Sequence, residues 1–149
     1  MLRLSTLVFL SALAFAGTVS AKTCELEITA NDQIRYNKSQ LSVSSACDKV
    51  TLTLKHVGEL TVEQMGHNWT LSKTEHWRDI AQKGQAAGPE NGYLPADDEH
   101  ILAHTDLIGG GETASITFDL SALDQGGDYT FFCSFPGHGA LMNGKFVIE

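Results

Sequence analysis

Tyr129-Thr130-Phe131-Phe132-Cys133-Ser134-Phe135-Pro136-Gly137-His138-Gly139-Ala140-Leu141-Met142 opens as a strand and ends as a loop. The aromatic run from Tyr129 to Cys133 suits a pleated, buried surface. Pro136-Gly137 is a turn signal. Beyond it stand His138, five residues after Cys133, and Met142, four residues later. A strand end followed by a tight turn can fold a thiol, an imidazole and a thioether onto one point. A second imidazole must come from elsewhere, and Gly66-His67-Asn68, just before Trp69, offers one.

Working outward, the same period-two patterning recurs along the chain. Leu26 and Ile28 share a face in Glu25 to Ala30, and Leu41 alternates with Val43. Val50, Leu52 and Leu54 alternate with Thr51, Thr53 and Lys55. Trp69 and Leu71, Ile101 and Ala103, Ile116 and Phe118, and Lys145 to Ile148 complete the set. This spacing predicts half-buried antiparallel strands. Turn residues separate them: Asn31-Asp32, Gly109-Gly110-Gly111 and Gly126-Gly127-Asp128. One helix is expected over Glu75 to Lys83, capped by Thr74 and stopped at Gly84, with a loop from Gln85 to Glu99. The expected fold is all-β, a two-sheet Greek-key sandwich with one short helical insertion.

The chain's 149 residues suffice for one domain. Met1 to about Ala21 reads as a secretory leader, with Arg3 as its positive end and Val19-Ser20-Ala21 as a small-residue cleavage site. The folded domain is therefore expected over 22–149. With Arg3 gone, nine basic residues face 18 acidic ones, a net charge of −9. That balance argues against nucleic-acid binding. No later segment is apolar enough to insert in a membrane. Export implies an oxidising compartment, so a disulfide is allowed. Of the three cysteines, Cys133 sits among other metal-ligand types, which leaves Cys24 and Cys47 to pair.

Two imidazoles, one thiolate and one thioether form a particular donor set. Sulfur ligands favour a soft metal, and His₂Cys with a weak axial Met is the set that holds copper in electron-transfer sites. Cu(I) favours sulfur and low coordination, and Cu(II) favours nitrogen. A site held between those preferences changes little when an electron moves. With all equatorial positions filled by protein, none is left for a substrate, unlike a catalytic zinc site.

The chain resembles the cupredoxin family of small bacterial blue copper proteins. The resemblance is carried in order by Cys24 with Cys47, Met65 to Trp69, Pro95 to Asp98, Ala103-His104-Thr105, Leu107-Ile108-Gly109, Ile116 to Asp119, and Phe131 to Met142. It implies copper, one Cu(I)/Cu(II) ion per chain, held equatorially by His67, Cys133 and His138. Met142 and the carbonyl oxygen of Gly66 would be weak axial ligands. Asn68 would brace the loop carrying Cys133, and the Phe135 amide would donate to its sulfur. His138 would reach the surface through an apolar docking patch that includes Leu60, Met65, Phe135, Pro136, Gly137, Ala140 and Leu141. The implied role is single-electron transport in the periplasm, between partners such as c-type cytochromes, reductases or dehydrogenases, by a monomer that is not an enzyme. Gln64 and Gln85 depart from the apolar residues usual around that patch.

The remaining chemistry-bearing residues have plainer readings. His56 follows an apolar strand and is expected buried without binding metal, while His76 and His100 read as solvated surface and His104 as no ligand. Trp69 reads as core, and Asp97-Asp98-Glu99 as a solvated turn. Asn37 and Asn68 begin glycosylation sequons without expected consequence. No nucleophile elbow, zinc-protease helix or phosphate loop is present. A copper-storage protein, a small copper enzyme and a structural zinc site are the rival readings of the same donors. The thioether is poorly suited to zinc, and the enzyme would need an open position.

Overall fold

The computed structural model describes residues 20–149, so most of the expected leader lies outside the described residues. The chain runs β1 (Thr23–Asn31), β2 (Arg35–Tyr36), β3 (Gln40–Val43), β4 (Lys49–His56), α1 (Val62–Met65), β5 (Thr70–Lys73), α2 (Trp77–Ala87), β6 (Ala103–His104), β7 (Thr113–Asp119), β8 (Tyr129–Phe132) and β9 (Asn143–Ile148). One sheet has the order β2-β1-β4-β7 and the other β3-β9-β8-β5-β6. The core between them is built from the residues whose alternation marked them as inward-facing. Ile28, Val50, Leu52, Leu54, Leu71, Phe131 and Phe146 are all buried, and Trp69 lies among them.

Two pairings differ from the antiparallel expectation. β1 runs parallel to β4, with Cys24 opposite Val50 and Ala30 opposite His56. β3 runs parallel to β9, with Leu41 opposite Phe146. Alternation specifies which face a side chain takes, not which neighbour the strand chooses. The disulfide joins Cys24 to Cys47, as expected, linking β1 to the segment that enters β4.

The helix also differs from its expected bounds. It starts at Trp77 and runs through Gly84 to Ala87, and Gly88 ends it with φ of 79°. Thr74 does not cap it; its hydroxyl donates to Asp128 Oδ1 at 2.9 Å. Gly84 is a contact residue instead of a stop, since a Cβ there would lie 1.9 Å from the Tyr93 carbonyl oxygen. α2 lays Trp77, Ile80 and Ala81 against Phe132, Leu94 and Ile101. Ile101 belongs to this cluster; only Ala103 and His104 pair as strand there. All four β8 residues are consequently buried: Phe131 faces the sandwich core and Phe132 faces α2. A one-turn helix, α1, is added just before the Gly66-His67 segment.

Candidate metal centre

β8 delivers Cys133 to the end of the sandwich, and the loop beyond it folds back on its own backbone. Cys133 N–H donates to the Met142 carbonyl at 3.0 Å, pinning the loop's two ends together. Inside, His138 N–H donates to Phe135 O at 2.9 Å and Met142 N–H to His138 O at 2.8 Å. Gly137 takes φ of 83°, a left-handed turn that side chains disfavour. His67 comes from the other side of the site, held by paired backbone hydrogen bonds with Ile108, both 2.9 Å. Gly66 has no room for a side chain, since a Cβ would lie 2.6 Å from Val62 O and 2.9 Å from the Phe135 ring.

These segments bring three donors together. Cys133 Sγ lies 3.8 Å from His67 Nδ1 and 3.8 Å from His138 Nδ1, and the two nitrogens are 3.3 Å apart. A triangle of those edges leaves a central point roughly 2 Å from each atom, the length of a metal–nitrogen bond. A thiol and two imidazole nitrogens at that spacing fit a metal ion, and copper suits the mixed sulfur and nitrogen donors. The Gly66 carbonyl oxygen lies 3.9 Å from the sulfur. Met142 is fully buried in the same core as Cys133.

The surroundings set the protonation state. His67 Nε2 pairs with the Asn31 carbonyl at 2.9 Å, so Nε2–H is the donor and the Nδ1 lone pair is free. Burial pulls His67 down to about 4, and the nearby His56 and His138 rings add to that; the Asn31 bond and Asp32 oppose it. Burial likewise lowers His138 to about 4, with His56 adding to it. Burial pushes the Cys133 thiol up to about 11, against the pull of backbone amides of Asn68 and Phe135 that donate to the sulfur. At neutral pH the metal-free site therefore holds two neutral imidazoles and a protonated thiol.

Asn68 does more than brace the loop. Its side chain bonds Ser134 twice and donates to Gly92 O at 3.1 Å. Ser134 Oγ also donates to Gly92 O at 2.6 Å. The Tyr36 hydroxyl donates to the Asn68 carbonyl. Sequence patterns assign Tyr36, Gly92 and Ser134 no role at the site, and read Asn31 only as part of a turn. Only Ser134, as the immediate neighbour of Cys133, carried any local signal. Asn68 is fully buried, so its sequon is closed to a glycan.

The other histidines are not among the clustered donors, although the His56 ring stacks on His67 with centroids 4.5 Å apart. His56 is buried and committed, with Nδ1 accepting from Gly58 N–H at 3.0 Å and Nε2 facing Met65 O at 2.9 Å. His104 is exposed on β6, and His76 and His100 stack on each other. His138 is nearly covered, 4% exposed, with Phe135 packed on its ring at 4.4 Å. Around it Pro136, Gly137, Ala140 and Leu141 are exposed, Leu141 at 71%, and Met65 and Phe135 are half-buried. Gln64 and Gln85 are exposed as well.

Comparison with known proteins bears directly on this centre. A family model described as copper binding proteins, plastocyanin/azurin family, matches residues 22–149. The chain is similar to the azurin of Bordetella pertussis, with 50% identity over 131 residues covering 88% of this chain and 87% of the relative. It is similar to the azurin of Pseudomonas aeruginosa, with 42% identity over 149 residues and all of both chains covered. Among solved structures, an azurin (Az-iso2) from Methylomonas sp. strain J matches with a TM-score of 0.82 and 38% identity, covering 85% of this chain and 98% of that one.

Proposed function

The chain belongs to the copper-binding plastocyanin/azurin family, and on that premise we propose that it carries single electrons between redox proteins in the periplasm. The observation that carries this reading is the buried triangle of His67 Nδ1, Cys133 Sγ and His138 Nδ1. Those three would hold a copper ion, with the Met142 thioether and the Gly66 carbonyl as weaker donors. Copper bound there supplies a one-electron Cu(I)/Cu(II) couple.

The chain's own residues supply rigidity and access. Asn68, Tyr36 and Asn31 hold the His67 and Cys133 segments by hydrogen bonds that do not depend on the metal. Donors fixed in this way move little when the charge at the centre changes, which keeps reorganisation small. The backbone amides of Asn68 and Phe135 stabilise negative charge on the sulfur. His138 is the ligand that reaches the surface, and its exposed neighbours make an apolar patch suited to brief docking. The donor set leaves no position for a substrate, which supports a carrier and not an enzyme. Partners with exposed redox groups, such as c-type cytochromes or periplasmic reductases and dehydrogenases, fit that patch. A monomer presents it unobstructed. A leader ending near Ala21 accounts for export, and the 22–149 domain is the working protein. No helix among the described residues is long and apolar enough to cross a membrane.

A visible absorption spectrum of the protein with Cu(II), before and after ascorbate, tests the proposal. An intense blue band that bleaches on reduction and returns on oxidation is expected. A colourless product would show that Cys133 does not bind copper and would sink the reading.

A further inference from the structure

We propose that the groove between α2 and the loop after β8 is a binding site for a small planar aromatic anion, a carboxylate or a sulfonate. Trp77, Ala81 and Gln85 recur every four residues and so share one stripe of α2, with Arg78 and Gln82 on the stripe beside it. Across from this helix face lie Phe135, Gly137 and Ala140 of the loop. The groove between the two walls measures about 470 Å³, a size that takes a small ligand.

The floor of the groove is Gly139. A Cβ there would lie 3.5 Å from Trp77 Cζ3 and 3.9 Å from Ala81 Cβ, so helix and loop meet at the bottom. Asn143 Nδ2 donates to Gly139 O at 2.8 Å and holds that floor in place. Trp77 and Phe135 are half-buried and stand on opposite walls, which suits a flat ring between them. Phe135, Gly137 and Ala140 also belong to the patch around His138, so an occupied groove narrows that patch.

Charge selects the sign of the ligand. The chain carries 18 acidic residues against 10 basic ones, yet no carboxylate lines this groove. Arg78 is its one charged side chain, and among the described residues it pairs with no carboxylate. The neighbouring Asp79 is held by Lys83 at 2.6 Å. The Arg78 guanidinium lies over the Trp77 ring, 4.9 Å from its centroid, so the cation already stands beside the aromatic wall. It is exposed, and an anion meets it from solvent as it stands. A guanidinium fork matches a carboxylate or sulfonate with two parallel hydrogen bonds. Gln82 and Gln85 are exposed beside it and supply further donors.

The test uses the reduced, copper-loaded protein titrated with naphthalene-2-sulfonate, followed by calorimetry and by the NMR signals of the Trp77 indole and the Arg78 guanidinium. One molecule per chain is expected, with both signals shifting together and the Trp69 indole unmoved. Arg78→Gln should weaken binding by roughly tenfold. Gln82→Glu, which brings a carboxylate to the groove, should weaken it as well. Both positions are exposed on α2, and an unchanged far-UV circular dichroism spectrum checks that the variants fold. Naphthalene-2-carboxamide, the same ring system without the charge, should bind more weakly than the sulfonate. Signals that stay still up to millimolar sulfonate, a carboxamide that binds as well, or an Arg78→Gln variant that binds like the parent would each overturn the proposal. The Trp77 and Arg78 signals report on the groove whether or not the buried centre takes copper.

Discussion

Asn68 grips Ser134 from both sides: its side-chain Oδ1 accepts Ser134 N–H at 2.9 Å, and its side-chain Nδ2 donates to Ser134 Oγ at 2.7 Å. The two residues stand 66 apart in sequence and are each next to a donor, His67 and Cys133. The clamp therefore joins the two halves of the site. Asn68→Ala leaves a buried Ser134 N–H unpaired and should cost about 2 kcal/mol. Denaturant unfolding of the metal-free protein measures it, and an unchanged midpoint would refute the clamp's role.

His138 is the donor nearest the surface. His138→Gly should leave the fold intact by far-UV circular dichroism and open a space that external imidazole fills, changing the copper spectrum. Cys133→Ser should remove the blue band altogether. A His138→Gly spectrum indifferent to imidazole would speak against His138 as a ligand.

Metal uptake should depend on pH in a defined way. With the thiol near 11 and both imidazoles near 4, binding at neutral pH displaces one proton, from Cys133. Apparent affinity should rise about tenfold per pH unit between roughly pH 6 and 9. Below about pH 4 the two imidazoles also protonate and the dependence steepens. Stability of the metal-free protein follows the same groups. The folded imidazoles titrate below their unfolded value, so the unfolded state binds more protons between about pH 6.5 and 4. Stability is lost as pH falls through that window. Proton release on titration in weak buffer, with melting curves across pH, checks both; release of no proton at pH 7 would contradict the first.

The disulfide closes a loop of sequence separation 23. Replacing Cys24 and Cys47 by Ala should destabilise the protein by about 3 kcal/mol in the chain-entropy description. The melting temperature should fall by about 10 °C. The blue band should survive, since neither cysteine is in the centre.

Gly84 offers a test of sign. In an exposed helix interior, Gly→Ala stabilises by about 1 kcal/mol. Here the new methyl meets the Tyr93 carbonyl, so Gly84→Ala should destabilise by about 2 kcal/mol. A stabilised variant would mean that α2 does not pack on the Tyr93 segment as described.

Short-range pattern made much of this protein legible. Alternation at Val50, Leu52 and Leu54 named residues that are buried, because the two faces of a strand are set by the pleat alone. The spacing of Cys133 and His138 exposed two of the three clustered donors, because a single loop carries both. The helix was legible in existence but not in extent. Trp77 and Gly84 owe their places to packing on Phe132 and Tyr93, which no local rule reports.

The sequence by itself determined the strand faces, the loop chemistry and the cysteine left for the metal. Only the tertiary structure decided that β1 lies parallel to β4, and that His67 meets His138 across 71 residues. It alone assigned Asn31, Tyr36, Gly92 and Ser134 to support the donors. The reason is physical. Periodicity and turn chemistry act over a few residues, whereas a buried polar group is satisfied by whatever the packed sheets bring within 3 Å of it.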